Sequence, residues 1–133
     1  MKKEIKKYLI IKEPVFKSSL NVFLNYSFDE LNNFLKKRGF GLLDEKFKHD
    51  TGICFTEFKN GHAPCFTVWI KDFKWILSNQ ALLLHELAHY IFVVMAYKGL
   101  IIGNAETDAN ETYCYLLEYF FLELNRKISR LTL

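Results

Sequence analysis

Three residues within five positions, His85, Glu86 and His89, combine side chains that bind a divalent cation with one that moves protons. Residues four apart on an α-helix stack on one face, so the imidazoles of His85 and His89 can reach a single ion. Glu86 stands beside that pair, where a carboxylate can take a proton from water polarised by the metal and hand it to a leaving amine. These residue types at this spacing point to metal-assisted hydrolysis of an amide, with zinc the metal that imidazole ligands most often hold in hydrolases. The H-E-x-x-H pattern arises by chance on the order of once in a few hundred chains of this length, so its surroundings matter. From Ala81 to Met95 no other side chain is charged. Two histidines and a glutamate there are costly to bury unless a cation engages all three, against the simpler alternative of a hydrogen-bonded core pair.

Such a site adds a third protein ligand and keeps one position for water. Behind the motif, Glu106, Asp108 and Glu111 are the nearby acids. At about 100° per residue, Glu106 falls on the apolar face of the last helix and Glu111 on the far side with Glu118. Against that, Glu106 falls at or before the first turn of that helix, and the stripe Glu111, Cys114, Tyr115 places a small residue one turn after the acid. On the residues alone both acids stay open. Tyr115, one turn from Glu111, is the candidate phenol for stabilising an oxyanion, ahead of Tyr90, Tyr97 and Tyr113. His49 and His62 read as surface residues.

The elements that must position these groups are legible in outline. Residues 5–11 and 15–26 are β-prone, and Ser27 to Glu30 is a capping box opening a first helix that Gly39 stops. Residues 41–50 form a connection. Residues 52–58 and 63–72 read as the two strands of a hairpin around Asn60 and Gly61. From Ser78 or Asn79 to Lys98 the chain is apolar on nearly every side, which predicts a helix buried within the protein. After Gly99, a last helix is expected over about 105–126, with Ala109, Tyr113, Leu116, Leu117, Phe120 and Leu124 inward. The expected fold class is α+β, a single domain over residues 1–133 with a small antiparallel or mixed sheet, the buried H-E-x-x-H helix and a C-terminal helix.

Composition agrees with a packed domain. Half of the 133 residues are hydrophobic, with thirteen Phe and seven Tyr, which argues against disorder. A net charge of +3 is small for a nucleic-acid-binding domain, and the lysines at 2, 3, 6 and 7 read as a solvated terminus. Three cysteines without a C-x-x-C spacing suggest neither a disulfide framework nor a thiolate zinc site, which favours a reducing, cytoplasmic setting. The apolar stretch from Tyr8 to Ile11 is too short for a signal-peptide core, and His85, Glu86 and His89 would be costly in lipid, so no membrane span is expected.

Trp69 and Ile70, the run from Leu83 to His89, Gly99, and the run from Glu111 to Tyr119 together resemble a family of small, mostly uncharacterised phage and prophage proteins with an H-E-x-x-H helix. Members share a strand ending in Trp and a hydrophobic residue, and a final helix beginning with Glu, an aromatic and Ala-Tyr-Leu. The resemblance covers residues 66–121, with Cys114 where Ala is usual and Glu118 where Gly is common. It implies a minimal zincin-like metallopeptidase, Glu111 as third ligand, and a place in the bacterial host cytoplasm. A looser similarity is to the ImmA/IrrE-type peptidases, whose pattern of Glu, Ala and Asn is matched by Glu106, Ala109 and Asn110. That similarity implies Glu106 instead, and the helix-turn-helix that usually accompanies such peptidases is not evident.

The implied partner is a peptide or protein substrate. The strand from Cys65 to Lys71 is expected to be a sheet edge along which a peptide lies extended, with Thr67, Val68 and Trp69 as its contacts. Phe66, Val68 and Ile70 would face one way and Thr67, Trp69 and Lys71 the other. The competing expectation is a binding or structural protein on the same scaffold, without turnover, in which zinc is structural or absent. Neither the substrate nor the oligomeric state has a signature in the chain.

Overall fold

The computed structural model describes residues 6–14, 17–57, 65–99 and 108–132. Two short strands come first, β1 (Lys7–Lys12) and β2 (Ser19–Leu24), paired antiparallel from Lys7 opposite Leu24 to Lys12 opposite Ser19. Helix α1 (Phe28–Lys37) follows. Its capping box forms as the sequence requires: the Glu30 N–H donates to Ser27 Oγ at 3.1 Å, and the Ser27 N–H to Glu30 Oε1 at 3.2 Å. Two such bonds satisfy donors that the first turn of a helix leaves free. Gly39, just past the helix, has φ +76°, a left-handed conformation that costs glycine no Cβ clash.

A 3-10 turn at Glu45–Phe47 interrupts the connection to β3 (Gly52–Glu57) and β4 (Cys65–Ile70). These strands pair antiparallel, with Glu57 opposite Cys65. The intended turn residues Asn60 and Gly61, and with them His62, lie outside the described residues. Helix α2 (Leu77–Tyr97) and helix α3 (Asp108–Thr132) complete the chain. The last helix runs beyond the expected Arg126, because Ile128 continues its buried stripe of Leu116, Phe120 and Leu124.

The sheet order is β1-β2-β4-β3, with β2 and β4 parallel. The fold is therefore α+β with a mixed four-stranded sheet, layered between α1 on one face and the α2/α3 pair on the other. Strand alternation sorts the side chains between two cores. Leu20, Val22, Phe66, Val68 and Ile70 meet α2 and α3, while Phe23 and Trp69 meet Phe28, Leu31 and Leu35 of α1. The Trp69 indole N–H, buried among apolar groups, donates to the Tyr26 carbonyl at 2.9 Å. Each such fully buried large side chain contributes roughly 1.5–3 kcal/mol relative to exposure.

Two expectations need correction. β4 is an interior strand, paired with β2 on one side and β3 on the other. Thr67, Val68 and Trp69 are buried, so they present no free edge to a peptide. Among the described residues, the free edge on that side is β3. The second correction concerns α2, apolar all round but not buried all round. Leu83, Leu87, Tyr90, Ile91, Val94 and Met95 pack inward, whereas Leu77 is 82% and Phe92 50% exposed. One sheet face and one neighbouring helix cover only part of its circumference. A window of α2 reaches a mean hydropathy of 1.2, apolar and long enough by composition to cross a bilayer.

Candidate metal centre and cleft

On α2 the buried arc runs through Leu83, Glu86, Leu87, Tyr90, Ile91 and Val94. His85 and His89 lie on the exposed arc, as their offset from that stripe requires. Their rings converge, with Nε2 of His89 3.1 Å from Nε2 of His85 and ring centroids 4.7 Å apart. Two imidazoles on one tetrahedral zinc at about 2.0–2.1 Å hold their nitrogens about 3.3–3.4 Å apart. An opening of a few tenths of an ångström would bring the pair to that spacing, so the two rings fit a shared divalent ion.

Glu86 points the other way round the helix, toward the sheet edge, and is only 7% exposed. Burial raises its pKa above the usual 4.5, and the charge of Asp50 adds to that rise. His85, His89 and a hydrogen bond from the Cys54 backbone pull in the opposite direction. The base is thus held beside the ligand pair by one backbone N–H of β3. Nothing in the sequence marks that N–H, because every non-proline residue carries one.

The geometry of β3 explains why Cys54 has a donor to spare. The Lys71 N–H donates to the Thr51 carbonyl at 3.1 Å, and Thr51 stands two residues before Ile53, which opposes Trp69. In an antiparallel ladder the bonded pairs alternate. Ile53 and Phe55 therefore turn their backbone groups toward β4, and Gly52, Cys54 and Thr56 turn theirs outward along the free edge. Gly52 brings this edge close to the helix: a Cβ there would lie 3.3 Å from Leu82 side-chain carbons, tighter than ordinary packing. The Cys54 side chain packs against the α2 core, and burial, with the nearby charge of Glu86, pushes its thiol up to about 12.

Between the edge and the helix lies an open cleft of about 420 Å3, lined by β3 residues 52–56 together with Glu86, His89 and Val93. Glu86 and His89 were legible in the sequence, whereas the strand side of the cleft, β3, and Val93 on α2 were not.

The other expected site residues are placed elsewhere. Glu111 is exposed, on the face of α3 opposite the buried Phe120, and among the described residues no His, Cys, Asp or Glu completes a set of three for a metal. Glu106 lies outside the described residues. The Tyr115 hydroxyl donates to Glu13 Oε1 at 3.3 Å, and that of Tyr119 to the Lys12 carbonyl at 3.1 Å. Both tether α3 to the end of β1, the strand at the opposite edge of the sheet from the cleft. A phenol held there cannot face an oxyanion at the histidines, which corrects the role expected for Tyr115. The Tyr90 hydroxyl donates to Ser18 Oγ at 2.9 Å within the core, and the Tyr113 ring packs on Phe92, three residues from His89. His49 is exposed, as expected of a surface residue. Compared with known proteins, the chain matches no family model, no curated protein and no solved structure.

Proposed function

We propose that the chain is a zinc-dependent peptidase in which His85 and His89 hold the metal and Glu86 is the general base. The observation that carries this reading is the 3.1 Å approach of the two Nε2 atoms beside a buried carboxylate at the floor of an open cleft. Zinc, when bound, polarises a carbonyl and acidifies water. The residues supply the rest. Glu86, steadied by the Cys54 N–H, accepts a proton and returns it to the departing amine. The outward backbone groups of Gly52, Cys54 and Thr56 are placed to pair with an extended substrate, the role expected of β4 passing to β3. The likeness of residues 66–121 to phage-type H-E-x-x-H proteins supports the same reading.

Glu86→Gln should retain zinc while peptide cleavage falls roughly 10²–10⁴-fold, the usual contribution of a positioned acid–base group. Unchanged cleavage in that variant would refute the role of Glu86. Glu106 and Glu111 are distinguished by zinc affinity: the acid whose replacement by Ala weakens binding is the third ligand, and the other replacement should leave affinity unchanged.

A second reading, a zinc-holding or binding protein without turnover, is favoured by one fact: only two ligands converge among the described residues. It predicts that zinc-loaded wild type cleaves no faster than Glu86→Gln, and that His85→Ala lowers stability.

A further inference from the structure

The face of α2 that carries the histidines carries no charge. Its exposed positions include Leu77, Ala81, Leu84, Phe92, Val93 and Ala96, with no Lys, Arg, Asp or Glu among them. Charged side chains ordinarily occupy the solvent face of a helix, and a contiguous apolar surface beside a candidate site marks the chemistry of what binds there. The cleft has the same character. Among the described residues, its lining apart from Glu86 and His89 consists of Val93 and uncharged residues of β3.

The strand side of the cleft narrows the occupant further. Gly52, Cys54 and Thr56 turn backbone donors and acceptors outward along this edge, where the Cys54 N–H bonds Glu86. Acyl chains of a lipid offer nothing to such groups, whereas an extended polypeptide pairs with them at every second residue. Side chains of a strand added to this edge alternate in direction, so every second one falls on the α2 side, over Thr56 and Val93. Val93 is 38% exposed and stands one helical turn beyond His89, at the wall of the cleft.

We infer that the substrate is an uncharged, apolar stretch of extended polypeptide, selected where its side chains meet Val93. This rests on the peptidase reading for its chemistry but not for its binding, and the two are separable. A charged substrate side chain at this wall would be desolvated against Val93 and Thr56, neither of which carries an opposing charge, a cost the apolar residue avoids.

The test uses the zinc-loaded Glu86→Gln protein and fluorescein-labelled eight-residue peptides with Gly-Ser ends. One has Val-Leu-Phe-Val at its centre; two others carry Asp or Lys at one central position. The apolar peptide should bind at least tenfold more tightly than either charged one. Val93→Lys, whose side chain can reach solvent, should retain zinc, lose the apolar peptide at least tenfold and gain the Asp peptide. Val93→Ala, a milder truncation, should weaken the apolar peptide without admitting the charged ones. Equal binding of all three peptides overturns the inference, as does indifference to Val93→Lys. So does co-sedimentation of the protein with phosphatidylcholine vesicles that displaces the apolar peptide, because the face then serves lipid. If the apolar peptide binds as described and the zinc-loaded wild type leaves it intact, the peptidase reading fails and the specificity inference stands.

Discussion

The bond between the Cys54 backbone and Glu86 can be removed without touching the sheet. Cys54 turns its N–H outward, since the Thr51 carbonyl already faces β4 in the bond from Lys71 and the ladder alternates. Proline at position 54 therefore deletes the donor to Glu86 and no ladder bond, on an edge strand where proline is tolerated. Proline at position 55 deletes a ladder bond instead. A hydrogen bond to an ionised group contributes about 1.5–3 kcal/mol, and in a domain of this size 1 kcal/mol shifts Tm by about 4 °C. In a double-mutant cycle on metal-free protein at pH 8, Cys54→Pro and Glu86→Ala should be coupled by about 1.5–3 kcal/mol. The cost of Cys54→Pro would then be about 6–12 °C larger with Glu86 present than with Ala at that position. Phe55→Pro should cost the same in both backgrounds. The cycle cancels the loss of the Cys54 side chain, so a coupling below about 0.5 kcal/mol would refute the clamp and the edge geometry behind it.

Tyr115→Phe should cost about 1 kcal/mol of stability through its lost bond to Glu13 and leave peptide cleavage within about twofold of wild type, measured by denaturant unfolding and peptide turnover; a hundredfold loss of turnover would return Tyr115 to the site. Cys114 is exposed and Cys54 partly buried, and with the Cys54 thiol pushed up to about 12, iodoacetamide at pH 8 followed by peptide mapping should modify Cys114 well before Cys54. Glu86, whose folded pKa lies above its ordinary 4.5, favours the fold when protonated, an advantage complete below 4.5 and lost as pH rises through the folded value. Metal-free Glu86→Gln should therefore be more stable than wild type at pH 8 in thermal melts, with the difference shrinking as pH falls toward 4.5.

Local signals carried much of the architecture. Ser27 and Glu30 announced their helix start because a capping box is built from side chains within one turn. The alternation of Phe66, Val68 and Ile70 against Thr67 and Trp69 was readable from the strand period, and the stripe through Leu116, Phe120 and Leu124 from the helical one. What stayed hidden was long-range. No residue of β4 states that β2 will pair beside it in parallel, and that pairing moves the free edge from Thr67 to Cys54. A uniformly apolar α2 reads as a buried rod, yet burial depends on how many neighbours the rest of the chain provides. The ligand pair and base were legible because one helical turn contains them. The Cys54 N–H has no side-chain signature at all, and the tether of Tyr115 to Glu13 joins residues 102 apart in the sequence.

The convergence of His85 and His89 on one ion is tested most directly by zinc titration of the purified, metal-stripped protein, followed by elemental analysis. Wild type and Glu86→Gln should each take up one zinc per chain. His85→Ala and His89→Ala should each bind it more weakly by more than the roughly 10–100-fold that losing a ligand's hydrogen-bond partner costs. Wild-type protein that takes up no stoichiometric zinc, or histidine variants that bind it as tightly as wild type, would contradict the account.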